Sequence, residues 1–226
     1  PLNNIGLFIG NLIDLIELGM GDFAQEDGRH RADPQLMLQE LHNAMQQVRK
    51  ATEIISHLRT FGRAASVSRE PVAVNQIIER AISLMREQLR LRQIEVVLHF
   101  PEEDVIVNGN AIQLEQVFIN LLTNARDALA SVARKVITIT CEMKEDVVDI
   151  SFCDTGPGIP AGLAKRIFDP FFTTKEVGAG TGLGLSITYG IIKEHQGTIM
   201  VENHPGEGAS FLIQLPLNVE KSKGMV

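Results

Sequence analysis

The sequence predicts an α-helical hairpin, which forms a four-helix bundle on dimerisation, followed by an α+β two-layer sandwich with a mixed sheet. Two observations lead to this prediction. Through residues 1–66, apolar residues recur at intervals of three and four, and no stretch alternates as a strand would. From residue 72 onward, helical stretches are interspersed with runs in which apolar and polar residues alternate. We therefore expect a dimerisation hairpin at 1–66 and a second domain at 67–220.

The hairpin contains two apolar stripes, one within residues 2–16 and one within residues 38–61. Between them, glycines and charges predict a loop, and Asp33 followed by Pro34 is typical of a helix start. Two helices joined by one loop cannot cover both apolar stripes by themselves. Dimerisation into a four-helix bundle is the simplest solution. The alternative is that the hairpin packs on the rest of its own chain.

The composition disfavours several classes of protein. A net charge of −7 argues against nonspecific binding of nucleic acid. The two cysteines, Cys141 and Cys153, lack a metal-binding spacing and are expected as free residues on successive strands, which indicates a reduced, cytoplasmic protein. Apolar runs are too short for a membrane span, so we expect no membrane contact by this chain. Because it begins with proline, we expect it to be part of a longer protein, whose remainder could carry a membrane anchor.

The second domain is predicted to begin after a small, polar linker at residues 62–71. Beyond this linker the pattern predicts three helices and six strands around one mixed sheet, with the helices on one face. The helices are predicted at residues 74–91, 110–132 and about 183–195. The strands are predicted at residues 94–100, 104–109, 135–143, 147–154, 197–203 and 208–216.

Two asparagines on the middle helix are candidates for a metal site. Asn120 and Asn124 are four residues apart, which places both amides on one face of the helix. An amide oxygen is a hard ligand that suits Mg²⁺. Taken alone, the pair favours a structural interpretation, in which the two amides make capping or inter-helix hydrogen bonds.

Two glycine-rich segments suggest a nucleotide site. The stretch "DTGPGIP" at residues 154–160 follows a strand, but its prolines remove amides that a dinucleotide-binding loop would need. The stretch "GAGTGLGLS" at residues 178–186 lacks the lysine of a Walker loop. Its glycines still precede a helix, where free backbone amides and the helix dipole favour an anion. Between the two segments lies "FDPFFTTK", at residues 168–175, which is either a hydrophobic cluster or a hinge beneath a mobile lid.

Together these segments resemble the sensor histidine kinases, within the wider group of ATPases that includes gyrase, Hsp90 and the MutL-type repair proteins. The segments "NLLTNA", "DTGPGIP", "FDPFFTTK" and "GTGLGLS" resemble the N, G1, F and G2 boxes of that family, in the same order. The resemblance covers nearly all of residues 72–216 and implies a Bergerat-type ATP-binding fold. In the first region, "PLNNI" and "ISHLRTFGR" are similar to parts of the family's dimerisation and histidine-phosphotransfer hairpin.

The resemblance implies a role for each matching position. Asn124 would coordinate Mg²⁺, with Asn120 assisting at the metal or the phosphates. Asp154 would hydrogen-bond the adenine amino group of ATP. Ser210, where threonine is commoner in the family, would complete the base pocket, either directly or through a water. The remaining positions of the implied nucleotide site are Arg126, Asp127, Gly156, Gly158, Ile159, Lys175, Gly180, Thr181, Gly182, Leu183 and Gly184.

One departure from the family leaves the phosphate-binding cation open. Many relatives carry lysine or arginine three residues after the second asparagine, whereas this chain has Asp127 there and Arg126 before it. Either Arg126 turns toward the phosphates or it is solvated. Lys175 is a further candidate as partner of the γ-phosphate.

The resemblance also places the phosphoacceptor histidine a few residues upstream of Pro1. We therefore expect this chain to bind ATP without phosphorylating itself, and His42 and His57 are expected to be structural. The implied partners are a second copy of the chain and the receiver domain of a response regulator. Two other classes remain open: a gyrase- or Hsp90-like conformational ATPase, and a module in which ATP only sets the shape of a dimer.

Overall fold

The computed structural model describes residues 38–39, 41–42, 44–45, 48, 68–160, 162–175, 181–204 and 206–218. The chain divides into two compact units, residues 1–64 with 173–181, and residues 65–172 with 182–226. The predicted helical hairpin lies largely outside the described residues. Those described between residues 38 and 48 are helical, which agrees with the helix predicted there.

The second unit contains the strands and the three long helices predicted for the ATP-binding domain. In chain order they are β1 (Glu70–Ala73), α1 (Val74–Leu91), β2 (Glu95–His99), β3 (Ile106–Gly109), α2 (Ala111–Ala128), β4 (Val136–Met143), β5 (Val147–Asp154), α3 (Gly184–Glu194), β6 (Thr198–His204) and β7 (Gly208–Pro216). A short 3-10 turn, Leu129–Ser131, extends α2. Within the described part of the chain, no helix combines the length and the apolar character that a membrane span requires.

The main sheet has five strands in the order β2-β4-β5-β7-β6. The β2–β4 pair is parallel and the other three pairs are antiparallel, so the sheet is mixed, as predicted. The prediction of one sheet was wrong for β3, which pairs with β1 in a separate two-stranded sheet. β1 itself begins at Glu70, inside the predicted linker. Pro71 is tolerated there because proline suits an edge strand, where a missing N–H breaks no central ladder.

Three helices cover one face of the main sheet and enclose the core. Alternate residues of β4, β5 and β7 point toward them, as the strand period of two requires. The phenyl rings of Phe118 on α2 and Phe152 on β5 stack with centroids 5.7 Å apart. The largest fully buried side chains are Phe118, Ile78, Leu114, Leu121, Leu122, Leu129, Ile137, Ile139, Ile150, Ile192, Ile213 and Leu215. The sandwich is therefore built by apolar residues at helical spacing on one layer and at strand spacing on the other.

The opposite face of the sheet carries a polar chain around Asp149. The carboxylate of Asp149 lies 2.5 Å from Nζ of Lys144, in the β4–β5 turn, and accepts a hydrogen bond of 2.9 Å from Nε2 of Gln214 on β7. The side-chain oxygen Oε1 of Gln214 in turn accepts a hydrogen bond from the Thr198 hydroxyl on β6. These contacts join three strands, and Lys144 holds the pKa of Asp149 below its usual range.

Both cysteines lie on successive strands and are free, as predicted. Cys141 is buried in the core on β4, and burial raises the pKa of its thiol to about 12. Cys153 is half-buried on β5. Neither residue is therefore part of a disulfide.

Candidate nucleotide site

Helix α2 connects the parts of the site. It begins after Asn110, whose side chain caps the helix by accepting a 2.9 Å hydrogen bond from the backbone N–H of Gln113. Further along, Asn120, Asn124 and Ala128 follow at four-residue spacing, so they lie on one side of the helix at intervals of about 6 Å. Each of these three positions meets or faces a different part of the site.

Asn120 holds the first turn of α3. Its Nδ2 atom donates to the carbonyl oxygen of Gly184 at 3.1 Å and to the hydroxyl of Thr188 at 3.3 Å. At its other end, α3 meets the start of α2, because the ring of His195 bonds Asn110. The two helices are therefore antiparallel. The amide nitrogen of Asn120 acts between helices, and its assistance at a metal stays a prediction.

Asn124 is the unsatisfied group of the site. Asn124 lies on α2 one helical turn beyond Asn120, the residue that contacts Gly184 at the start of α3. Its Nδ2 atom is buried and has no hydrogen-bond partner among the described residues. Buried amides without a partner are rare in folded proteins. The amide can turn by 180°, which would present its oxygen at the same position. A ligand that binds this side chain fits the observation.

The start of α3 faces the same region. The helix begins at Gly184, as predicted, and its N-cap residue Leu183 provides no side-chain cap, unlike Asn110 on α2. The first-turn amides and the positive end of the helix dipole therefore suit an anion. Gly182 has a φ of +67°, and a side chain there would overlap the backbone of Phe171. This close approach explains why glycine is needed at 182.

The segment before the lid packs against α3. Four successive turn hydrogen bonds order it, ending with the Phe172 N–H donating to Asp169 O at 3.2 Å. The ring of Phe168 lies 5.6 Å from that of Tyr189 on α3. The guanidinium of Arg166 lies over the ring of Phe172 at 4.9 Å. These contacts order the first half of "FDPFFTTK" and agree with a hydrophobic cluster, whereas a hinge beneath a lid stays a prediction.

Asp154, the last residue of β5, is held in a fixed position. Its carboxylate accepts a 2.8 Å hydrogen bond from the Gly156 N–H and another from the backbone of Ala209. Burial raises the pKa of Asp154, and these two N–H donors oppose the rise. Gly156 is buried against α2, since an added Cβ would lie 3.2 Å from Cβ of Ala128. The carboxylate is thus placed at the end of α2.

The turn between β6 and β7 closes over the loop that follows Asp154. The Gly206 N–H donates to the Pro157 carbonyl oxygen at 2.9 Å. Gly208 has a φ of +117°, and a side chain there would overlap the carbonyl oxygen of Asp154. Gly158, with a φ of +76°, and Ile159, which is half-buried, continue the loop. The loop after Asp154 and the turn between β6 and β7 are therefore joined next to the Asp154 carboxylate.

The structure does not bring the Ser210 side chain to Asp154. Ser210 pairs with Cys153 across β5 and β7, and its hydroxyl lies 3.1 Å from the Cys153 sulfur, which donates to it. Strand alternation places these two side chains on the face opposite to Asp154. Ala209, whose backbone binds the carboxylate, is the nearer residue. A direct role of the Ser210 side chain in the base pocket therefore does not fit this geometry.

The side chain of Arg126 is largely shielded from solvent and is hydrogen-bonded to its neighbours. Its Nε and Nη2 atoms donate to Oδ1 of Asp127 at 2.8 and 2.6 Å, and Nη1 donates to Gln88 of α1. The side chain of Arg126 is only 19% exposed. Reaching a phosphate would cost Arg126 these contacts. The role of Arg126 and Asp127 toward a nucleotide stays a prediction.

Three further predicted positions, Lys175, Gly180 and Thr181, fall between residues 173 and 181 of the sequence. Gly180 lies outside the described residues. Lys175 and Thr181 belong to the other compact unit, and the backbone N–H of Lys175 donates to the Thr173 hydroxyl at 3.1 Å. Their roles at the phosphates remain predictions.

Comparison with known proteins identifies the family. Residues 109–219 match the family model described as histidine kinase-, DNA gyrase B-, and HSP90-like ATPase. The two-component sensor PprA of Pseudomonas aeruginosa is 40% identical over 184 residues, which are 79% of this chain and 20% of that protein. The catalytic domain of histidine kinase ThkA, in a nucleotide-free crystal form, is 36% identical with a TM-score of 0.60, and the match covers 66% of this chain and 96% of that one.

The chain belongs to the sensor histidine kinases. Its second unit has the mixed-sheet fold of the family's ATP-binding domain. A structure of histidine kinase ThkA in complex with the response regulator protein TrrA is 28% identical, with a TM-score of 0.68, and covers 97% of this chain and 61% of that one. The chain spans between 20% and 39% of the length of the curated relatives it matches.

Sequence reasoning missed the residues that join α2 and α3. His195 and Asn110 were not singled out for any role at the site, yet they connect the far ends of the two helices. One local signal was present: Asn110 followed three residues later by Gln113 is typical of a helix N-terminus. The partner on α3 is 85 residues away from Asn110, and no local pattern indicates it.

Proposed function

We propose that this chain is the catalytic core of a sensor histidine kinase, which binds Mg·ATP and transfers the γ-phosphoryl group to a histidine in two-component signal transduction. The observation that carries the proposal is the buried side-chain nitrogen of Asn124, which has no hydrogen-bond partner among the described residues, beside the start of α3, where no side chain caps the helix. In the same domain, the Asp154 carboxylate stands at the end of α2, one helical turn beyond Asn124. Base, metal and phosphate groups of one nucleotide would be met along a single helix.

The donor set suits Mg²⁺. Asn124 would hold the ion through its amide oxygen, with Asn120 assisting, and phosphate oxygens and water would complete the shell. When bound, Mg²⁺ neutralises the charge that develops on the transferring phosphoryl group. The described residues contain no cluster of three or more histidine, cysteine, aspartate or glutamate side chains that could hold a metal, so the ion would depend on amide and phosphate oxygens.

The chain's own residues bind and orient the nucleotide. Asp154 accepts a hydrogen bond from the adenine amino group, and the bare backbone of Gly156 and Gly158 lets the flat base approach. Backbone amides from Gly182 to Gly184 and the dipole of α3 attract the phosphates. Phosphoryl transfer requires positioning and charge neutralisation more than covalent chemistry by the protein.

The residue at position 120 separates kinase from ATPase function. The gyrase- and Hsp90-like relatives use glutamate as a general base where this chain has Asn120. A neutral amide accepts no proton near neutral pH, so activation of water should be poor. We therefore favour transfer to a protein histidine over hydrolysis.

The helical region supplies the contacts with the partners in this proposal, and the acceptor histidine precedes Pro1. Residues 1–66 form a dimerisation and phosphotransfer hairpin that pairs with a second copy into a four-helix bundle, and residues 67–220 form the ATP-binding domain. The phosphohistidine then passes its phosphoryl group to an aspartate in the receiver domain of a response regulator. The ThkA–TrrA complex supports the choice of partner class.

Labelled ATP tests the proposal. The chain is produced together with the upstream segment that carries the predicted phosphoacceptor, and is incubated with γ-labelled ATP and Mg²⁺. We expect acid-labile, alkali-stable label on the protein and slow release of free phosphate. Tight ATP binding with rapid phosphate release and no label would overturn the kinase proposal in favour of a conformational ATPase. Label on His42 would show that the acceptor assignment is wrong.

A further inference from the structure

Helix α3 is attached to α2 at both of its ends. At the first turn, Asn120 binds the carbonyl oxygen of Gly184. At the last turn, Nε2 of His195 accepts a 3.0 Å hydrogen bond from the backbone N–H of Asn110. The other ring nitrogen, Nδ1, donates to the Ile191 carbonyl oxygen at 2.8 Å. Both nitrogens of one neutral tautomer are therefore used, and His195 is only 4% exposed.

Several residues from three different elements contact one another at the end of α3. We call Gly109, Asn110, Gln113, Glu194 and His195 the α3 joint. An added Cβ at Gly109 would lie 3.1 Å from Cδ2 of His195, so glycine leaves room for the ring. Nε2 of Gln113 donates to the Glu194 carboxylate at 3.3 Å. The joint therefore fixes the end of β3, the start of α2 and the end of α3 together.

Arg69, the residue directly before β1, is also bound to the α3 joint. Its guanidinium donates to the backbone carbonyl oxygen of Glu194, one of the last carbonyls of α3. A cation at a helix C-terminus binds carbonyls that have no partner within the helix and is favoured by the helix dipole. Arg69 stands five residues after Ala64, where the first unit's initial segment ends, and directly before β1.

We propose that His195 is a positioning residue for the nucleotide phosphates, because it fixes where α3 lies along α2 and hence where the first turn of α3 stands relative to Asn124. The inference rests on the proposed nucleotide site. Arg69 binds the same joint and therefore also acts on the alignment of α3. His195 touches no ligand and works through Asn110.

Because α3 is a rigid helix, a change at the α3 joint also moves the first residue of the helix. α3 has 11 residues and is about 16 Å long, so a shift at His195 is carried along the axis to Gly184. Misplacement of a binding group by about 1 Å can cost a factor of about 100 in a reaction that depends on alignment. The Asp154 carboxylate is held by β5 and β7 and does not depend on α3. A disturbed α3 joint should therefore weaken the binding of the phosphates and leave the binding of the adenine base unchanged.

Two substitutions at His195 separate positioning from packing. His195→Phe keeps a flat ring but removes the acceptor for Asn110, whereas His195→Gln can restore a neutral acceptor. The full chain is used, its folding is checked by thermal denaturation, and affinities for Mg·ATP and for AMP are measured by calorimetry. We expect His195→Phe to lower the affinity for ATP about tenfold and that for AMP less than about twofold, while His195→Gln stays near wild type.

Other results would overturn the inference. A folded His195→Phe protein with unchanged ATP affinity, or with equal losses for ATP and AMP, would show that His195 only supports the fold. If that variant does not fold, Arg69→Ala replaces it, with exposed Arg86→Ala on α1 as the matched control. Arg69→Ala should weaken ATP selectively, and equal behaviour of the two arginine variants would refute the joint. A wild-type chain that binds neither nucleotide would instead refute the proposed function.

Discussion

Asn124 is the residue on which the proposed metal chemistry depends. Substitution Asn124→Ala removes the only amide that we assign as a primary Mg²⁺ ligand. We expect the affinity for Mg·ATP to fall at least about tenfold, with a smaller change for ATP in the presence of a chelator, because the lost interaction is with the ion. Calorimetry with and without Mg²⁺ measures both. Asn108→Ala, on the exposed side of β3, is the control, and equal losses with and without Mg²⁺ would refute the metal assignment.

Position 208, next to the proposed base pocket, has room only for glycine. Gly208→Ala would place a methyl group against the Asp154 carbonyl oxygen at a φ of +117°. We expect a loss of about 3 kcal/mol or more in the free energy of unfolding, together with weaker adenine binding. Denaturant unfolding and AMP titration measure these effects.

Gly162→Ala is the matched control for Gly208. Gly162 also has a positive φ, +82°, but no atom lies within 4 Å of an added Cβ. Its substitution should cost only about 1 kcal/mol, which is the backbone contribution alone. Similar losses for both variants would show that the contact with Asp154 is unimportant.

At the residue scale, some predicted site residues could be singled out from local patterns and one could not be oriented. The asparagine pair and the glycines could be singled out because each lies in a short local pattern. The structure places Asn124 one turn before the end of α2, Asp154 at the end of β5 and Gly184 at the start of α3. The orientation of Ser210 could not be predicted, because along a strand a displacement of one residue moves a side chain to the opposite face. The motif gave the strand but not which of Ala209 and Ser210 faces Asp154.

Among the elements, β5 is joined to β7 and to the β4–β5 turn by Asp149. Asp149→Ala leaves Gln214 and Lys144 without their shared partner at a position that is 8% exposed. We expect a loss of about 1–2 kcal/mol in the free energy of unfolding and unchanged ATP affinity, since the polar chain lies on the face opposite to the site.

The pH dependence of the Asp149 contribution has a defined sign. Its pKa is held below the ordinary value of 3.8, chiefly by the bond to Lys144. The folded state therefore binds fewer protons, so this contribution to stability is complete above pH 3.8 and is lost as the pH falls through the folded pKa. Unfolding of wild type and Asp149→Asn between pH 2 and pH 5 measures it, and parallel curves would contradict the assignment.

The elements themselves were largely predictable. α1 was predicted at residues 74–91 and is found there, because a strong apolar stripe coincides with charged residues on its other side. β1 was missed because Glu70 and Pro71 read as linker and its partner strand β3 lies 36 residues further on. Pairing between strands so far apart in the sequence depends on the folded domain, which a local pattern does not contain.

At the scale of the whole molecule, the prediction concerns oligomeric state. We expect the full chain to sediment as a dimer of its 24.9 kDa mass, and residues 67–220 alone to be a monomer that still binds ATP. The physical reason is that the two apolar stripes of residues 1–66 lack cover within one hairpin. Analytical ultracentrifugation across a concentration series measures this. A monomeric full chain would favour the alternative, in which the hairpin packs on its own chain.

The four-residue spacing of Asn120, Asn124 and Ala128 along α2 has a consequence for how the gene can change. Each added or deleted residue turns the following part of an α-helix by about 100°, so a single-codon insertion between these positions would rotate one part of the site away from the others. Substitutions on the outer side of α2 leave that alignment intact. Length variation among relatives should therefore be found in the lid and be absent from this helix.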